Sequence, residues 1–262
     1  MTTTIQQLFN LEGRTALVTG GSRGLGLQMA EALGEAGASV MLTSRKAADL
    51  EESAAHLRRS GIKAKWVAGD AGNPEDVKRV VDETMRHFGK IDILINNAGA
   101  SWGAAAEEHS LEAWDKVMNV NARSLFVFAQ AVARASMIPR QSGRIVNIAS
   151  IAGLGGNPAA MKTIAYNTSK GAAVNFTRAL AAEWGAHGIT VNAIAPGFFP
   201  SKMSQGLLDT WGEDNVASRS PLKRLGTDDD LKGAVLLFAS DAGKHITGQV
   251  LAVDGGTTCV VG

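Results

Sequence analysis

The sequence predicts an α/β fold: a doubly wound, parallel, seven-stranded sheet built by residues 1–262 as a single domain. Three observations carry that expectation. Seven short apolar runs alternate along the chain with stretches of helical periodicity. The runs are apolar at successive positions rather than at every second one, as strands covered on both faces must be. No linker, repeat or low-complexity tract interrupts the alternation.

Residues 15–19 form the first apolar run and end in a glycine-rich turn, after which 25–36 have helical periodicity. A second strand is expected at 39–43, a charged amphipathic helix at 47–59 and a third strand at 63–68. Asn73 then reads as an N-cap, with Pro74 at the first helical position and Glu75 and Asp76 in the first turn. Residues 91–95 form a fourth strand. Ser110 caps a long helix over 111–138 that must stop by Pro139. A fifth strand at 143–149 precedes a helix over 165–187, and a sixth strand covers 189–194. After an irregular segment, Thr227 to Asp230 reads as a capping box for a helix through Ala239, and 249–253 close the sheet.

Composition narrows the function classes. The chain is 45% hydrophobic and 19% charged, which describes a globule with a sizeable core. Its 26 basic and 25 acidic residues nearly cancel, which argues against nucleic acid or an anionic membrane as partner. His56, His87, His109, His187 and His245 lack metal-ligand spacing, so no metal is expected. The single cysteine, Cys259, forms no intrachain disulfide and fits a reducing compartment. The N-terminal stretch has neither the basic nor the apolar region of a signal peptide, and no apolar run is long enough to span a bilayer. A cytoplasmic location is expected.

In a doubly wound sheet the ligand lies beyond the C-terminal strand ends, so the residues after each strand are the candidates. After the first come Gly20, Gly21, Ser22, Arg23, Gly24, Leu25 and Gly26, where glycines let backbone amides and a helix N-terminus approach a pyrophosphate. After the second come Ser44 and Arg45, in place of the acid that would hold a ribose 2′-hydroxyl. Arg45 with Arg23 would pair with a 2′-phosphate, favouring NADP(H) over NAD(H); two solvated surface arginines remain the alternative. After the third come Asp70 and Ala71, placed for an adenine ring, although Asp70 also fits a loop acid that starts a helix. Asn96, Asn97, Ala98 and Gly99 follow the fourth, and Ser150 the fifth.

Tyr166, the only tyrosine, stands four residues before Lys170, so one helix face presents both. A cation about 5 Å away at an effective dielectric of about 20 favours the phenolate by roughly 3 kcal/mol. That would lower a phenol from its usual value near ~10 by about two units. On spacing alone, a surface tyrosine and a solvated lysine sharing a helix is the simpler reading.

Taken together, Thr19-Gly20-x-x-x-Gly24-x-Gly26, Asn96-Asn97-Ala98-Gly99, Asn121, Ser150, Tyr166-x-x-x-Lys170 and Pro196-Gly197 resemble the short-chain dehydrogenase/reductase family over nearly the whole chain. The resemblance implies a Rossmann fold and an NADP(H)-dependent enzyme that reduces a small-molecule ketone to a secondary alcohol. It implies Tyr166 as general acid, Ser150 as hydrogen-bond donor to the carbonyl oxygen, and Lys170 as holder of the nicotinamide ribose that also depresses the Tyr166 pKa. Asn121 would fix a water linking Lys170 to solvent. Gly20, Ser22, Arg23, Asn97, Ala98, Gly99, Pro196, Gly197, Phe199 and Ser201 would line the cofactor, with Ser201 standing where relatives often carry Thr. Ser150 and Tyr166 are sixteen positions apart, more than is common in the family, and residues 154–163 hold the extra length. That loop is expected to reshape the pocket.

The segment 198–222 resembles the family's substrate lid. Phe198, Phe199, Met203, Leu207 and Trp211, joined by Trp102, suit an acyl chain or other apolar ketone. A 3-oxoacyl thioester is the first expectation, because 96–104 and 195–203 resemble 3-oxoacyl reductases of the rhamnolipid type. A keto-sugar acid is the alternative, because the lengthened loop and 164–175 look like gluconate 5-dehydrogenases. A non-catalytic NADP(H)-binding regulator is the alternative of another class. Small and apolar residues on helices 111–138 and 165–187, and the C-terminal stretch 248–256, resemble members that pair into homodimers and homotetramers.

Overall fold

Successive strand residues enter different cores, which is why each strand is apolar along its length. In the computed structural model, which describes residues 2–260, β1 (Thr15–Thr19) sends Ala16 and Val18 into one core and Leu17 into the other. β2 (Ser39–Ser44) divides Val40 and Leu42 from Met41 in the same way. β3 (Ala64–Ala68), β4 (Ile93–Asn96), β5 (Gly143–Ile148), β6 (Ile189–Pro196) and β7 (Val250–Val253) complete a seven-stranded parallel sheet. Its order is β3-β2-β1-β4-β5-β6-β7, so the chain reverses direction across the sheet between β1 and β4. Met1, Val261 and Gly262, the ends of the expected 1–262 domain, lie outside the described residues.

The helices are α1 (Ile5–Phe9), α2 (Gly24–Glu35), α3 (Ala47–Arg59), α4 (Pro74–Phe88), α5 (111–140), α6 (Ile164–Trp184), α7 (Gln205–Trp211), α8 (Glu213–Ser218) and α9 (Lys232–Ala239). Met29 and Leu33 of α2, Leu50 and Leu57 of α3, and Val235 and Phe238 of α9 build one core. Val77 and Val80 of α4, Phe128 and Val132 of α5, and Leu180 of α6 build the core on the opposite face. Asn73 caps α4 by accepting from the Glu75 amide, and Ser110 caps α5 by accepting from the Ala113 amide.

Three expectations are corrected. β4 starts at Ile93 rather than 91, because the Ile91 N–H and C=O both bond to Ser136 Oγ. α5 passes through Pro139 and ends at Gln141 in the left-handed region, φ 50°. A π turn at Ala133–Met137, one residue short of the proline, resets the hydrogen-bond register, so the missing N–H and the ring are tolerated. Thr227 does not cap α9, which begins only at Lys232. The Thr227 hydroxyl donates to the Asp230 carboxylate (2.9 Å) instead of accepting from a helix amide, and the same carboxylate is held by Arg224.

Candidate active site

The turn after β1 is built by close approach. A Cβ on Gly26 would stand 2.3 Å from the Gly20 carbonyl oxygen, so no other residue lets α2 begin this near the turn. Thr19 Oγ1 accepts from the amides of Asn97 (2.9 Å) and Ala98 (3.0 Å), and Asn97 Nδ2 donates to the Thr19 and Gly20 carbonyls. The loops after β1 and β4, the two strands flanking the reversal, are thereby locked together. Asn97 therefore offers the cleft its backbone, while its amide holds the glycine turn. Thr19, named in the sequence only as the start of the glycine-turn motif, has this bracing role through its hydroxyl at the end of β1.

A cleft of about 1170 Å³ runs along the strand ends. It is lined by every residue expected at the cofactor and the reacting centre except Gly21, Asn96 and Asn121; the Asn96 amide is turned inward and donates to Asn147 Oδ1 at 3.0 Å. The α2 N-terminus has no side-chain cap, which leaves its first amides open to an anion. Arg23, Arg45 and Lys46 line the end of the cleft beyond β2, where Ser44 Oγ and Thr43 Oγ1 are buried without a hydrogen-bond partner. Asp49 reaches to 3.6 Å from Arg23. Uncapped amides, orphaned hydroxyls and three cations fit a dinucleotide that carries an additional phosphate. Asp70 lines the cleft too, with one carboxylate oxygen accepting from the Gly72 amide at 2.9 Å.

The reacting end is assembled from β5 and α6. Ser150, at the end of β5, accepts from the Ala152 amide at 3.1 Å, and its hydroxyl lies on the phenol side of Tyr166, where it favours the ionised form. A Cβ on Gly153 would meet the Lys170 carbonyl carbon at 2.5 Å, so only a glycine lets the Ser150 turn lie directly on α6. Lys170 is 5% exposed, and its Nζ donates to the Ile148 carbonyl (2.6 Å) and lies 5.7 Å from the Tyr166 ring centroid. Burial holds its ammonium down to about 8. The expected depression of Tyr166 is not what the structure has: burial pushes the phenol above its ordinary value, with the Ser150 hydrogen bond acting in the other direction. Desolvation dominates at the phenol, and the same burial disfavours the Lys170 cation.

Asn121 sits in a π turn of α5 (Asn119–Arg123) and is 1% exposed. Its amide accepts from Ala100 N (2.7 Å) and donates to Ala100 O (2.8 Å) and Ser169 Oγ (2.9 Å), which in turn donates to the Tyr166 carbonyl. It braces the loop after β4 against α6 and is not presented to the cleft.

Phe198, Phe199, Met203, Leu207 and Trp102 line the same cleft. Trp211 does not: it stacks under Arg219, 4.6 Å from the guanidinium carbon to the ring centroid. Phe199 is 6% exposed and packs against Gly226. Asn157, Met161 and Thr163 of the lengthened loop, and Lys202 after β6, complete this end. No local pattern singled out Asn157 or Lys202.

Fold and site together define a dinucleotide-dependent oxidoreductase, and the chain belongs to the short-chain dehydrogenase/reductase family. Residues 20–258 match the family model described as enoyl-(acyl carrier protein) reductase. Gluconate 5-dehydrogenase of Gluconobacter oxydans is 41% identical over 252 residues, 96% of this chain and 97% of that one. The 3-oxoacyl-[acyl-carrier-protein] reductase of rhamnolipid biosynthesis in Pseudomonas aeruginosa is 36% identical over 252 residues, 95% of this chain and 97% of its own length. The crystal structure of a gluconate 5-dehydrogenase from Burkholderia cenocepacia, in complex with NADP and tartrate, superposes with a TM-score of 0.93 at 36% identity, covering 98% of this chain and 100% of that one.

Proposed function

We propose that this protein is an NADP(H)-dependent oxidoreductase that interconverts a ketone and a secondary alcohol, with a keto-sugar acid as substrate. The observation that carries the reaction is that Ser150, Tyr166 and the buried Lys170 line one cleft, with Lys170 Nζ 5.7 Å from the Tyr166 ring. The chemistry that NADPH would supply in this cleft is a hydride for the carbonyl carbon. Tyr166 donates its proton to the carbonyl oxygen, and its raised pKa keeps it protonated for that task at neutral pH. Ser150 hydrogen-bonds the same oxygen as charge develops there. The Lys170 ammonium stabilises the phenolate left behind and would hold the nicotinamide ribose. Asn121 is a positioning residue for the loop and helix on either side. Arg45, Arg23 and Ser44 would hold the 2′-phosphate, and the α2 N-terminus the pyrophosphate.

The sugar-acid substrate is supported by the 41% identity to a gluconate 5-dehydrogenase and by Lys202, a cation lining the cleft that makes no ion pair among the described residues. A 3-oxoacyl thioester is the second reading, favoured by the apolar lining of Trp102, Met203 and Leu207. The segment 198–222 would close over either as a lid. NADPH consumption with 5-ketogluconate and acetoacetyl-CoA side by side tests the choice, and repeating the better one with NADH tests the cofactor. Turnover of the thioester alone would replace the first reading by the second, and turnover of neither would remove both.

We further propose a cytoplasmic homotetramer. Leu111 and Phe126 of α5 and Ile164 of α6 are exposed apolar residues at 76%, 47% and 44%, and β7 leaves an open sheet edge. No helix among the described residues is long and apolar enough to cross a membrane. A monomeric mass by light scattering would exclude the assembly.

A further inference from the structure

The loop between Ser150 and Tyr166 contains a hydrogen-bond relay that the reaction does not use. At its base Asn167, in the first turn of α6, donates from Nδ2 to the Gly155 carbonyl at 3.3 Å. A carbonyl can only accept, so this bond fixes the orientation of the Asn167 amide and makes its Oδ1 an acceptor. Two donors converge on that Oδ1, the Thr163 hydroxyl at 3.0 Å and Asn157 Nδ2 at 3.0 Å. The Thr163 proton is thereby assigned, so Thr163 Oγ1 accepts from Asn157 Nδ2 at 3.0 Å. Both hydrogens of the Asn157 amide are now committed to the protein. Its Oδ1, on the opposite edge, has no partner among the described residues, and Asn157 lines the cleft beside Ser150, Thr163 and Tyr166.

The geometry points to Asn157 as a specificity-determining residue whose Oδ1 accepts a hydrogen bond from a substrate hydroxyl, selecting polyhydroxylated ketones over bare ones. The inference rests on the ketone-reductase reading of the same cleft. The relay matters because it removes the usual freedom of an asparagine, which can turn either edge to a ligand. Locked in this way the residue offers an acceptor only, and a carboxylate, a ketone or a thioester carbonyl has no hydrogen to give it. A cationic donor would find no counter-ion here: Glu31, Asp49, Asp70 and Asp228, the carboxylates that line the cleft, all belong to elements other than the loop, α6 and the segment after β6. A hydroxyl is the donor that fits. An acceptor that a bound substrate covers and does not match is a penalty that a hydroxylated substrate avoids.

The test compares 5-ketogluconate with 5-oxohexanoate, which has the same six-carbon chain, ketone position and carboxylate but no hydroxyls. The wild-type enzyme is expected to prefer 5-ketogluconate, and Asn157→Ala to reduce the ratio of the two kcat/KM values about tenfold, chiefly through KM. Thr163→Val breaks the relay while keeping the Asn157 side chain. With its amide free to turn, Asn157 is expected to lose part of its selectivity, so the ratio should fall by less than in Asn157→Ala. A ratio identical to wild type would mean that the relay does not set the orientation. A ratio that survives Asn157→Ala would overturn the contact and reduce the relay to loop anchoring, whether or not total activity falls. Wild-type enzyme inactive on both ketones would instead overturn the sugar-acid reading, and this inference with it.

Discussion

Tyr166 and Lys170 stand one turn apart on α6, with Lys170 Nζ 5.7 Å from the tyrosine ring, and burial moves their proton affinities in opposite directions. The phenol is pushed up and the ammonium down to about 8. At neutral pH the resting pair is therefore a neutral acid beside a cation that is close to losing its proton. The cation's value lies in stabilising the phenolate formed as the proton leaves, rather than in ionising the phenol beforehand.

Lys170 makes stability depend on pH. The unfolded lysine keeps its proton to about 10.5, whereas the folded one releases it near 8. Between these values the unfolded state holds more protons, so this group's contribution to stability rises as pH rises. The cost of the charged, buried form at pH 7 is roughly 3 kcal/mol. Lys170→Met removes that cost, so its stability relative to wild type should fall by roughly that amount between pH 7 and pH 10. Urea denaturation of both proteins at the two pH values measures it, and a pH-independent difference would contradict the burial argument.

Arg45 and Arg23 differ in what holds them. Arg23 has Asp49 at 3.6 Å, while Arg45 makes no ion pair among the described residues. Arg45→Glu should weaken NADPH binding by about 10–100-fold and leave NADH binding nearly unchanged. Asp49→Asn, which removes a carboxylate near the proposed phosphate, should tighten NADPH binding a few-fold. Cofactor-fluorescence titrations with both nucleotides give the comparison.

Thr19 supports two loops with one oxygen. Thr19→Val would leave the amides of Asn97 and Ala98 without their acceptor, at about 1–3 kcal/mol each where water cannot replace it. The isosteric change should lower the denaturation midpoint and weaken cofactor binding together. Unchanged binding would mean that the β1 and β4 loops hold their positions without it.

The sheet was legible because burial on both faces writes an uninterrupted apolar run into every strand, and the glycine turn because Gly26 tolerates no Cβ. Catalytic candidates could be read where residues adjoin in sequence, as with Tyr166 and Lys170. What depends on distant partners was not legible. Asn121 braces Ala100 and Ser169, and Asn157 is oriented by Gly155 through Asn167; neither role leaves a local pattern. The direction of the Tyr166 shift was not legible for a related reason: spacing reveals the neighbouring charge but not how far the fold withdraws the two groups from water. Pro139 was expected to end α5, and a π turn placed just before it carries the helix past.

The proposed chemistry depends most directly on the Tyr166 hydroxyl, so Tyr166→Phe is the decisive comparison. NADPH oxidation with the better ketone would be followed for wild type and variant, alongside NADPH binding to each. Loss of general-acid catalysis should lower kcat by about 10²–10⁴-fold with cofactor affinity retained. A variant that binds NADPH and reduces the ketone at the wild-type rate would contradict the assignment of Tyr166 as the proton donor.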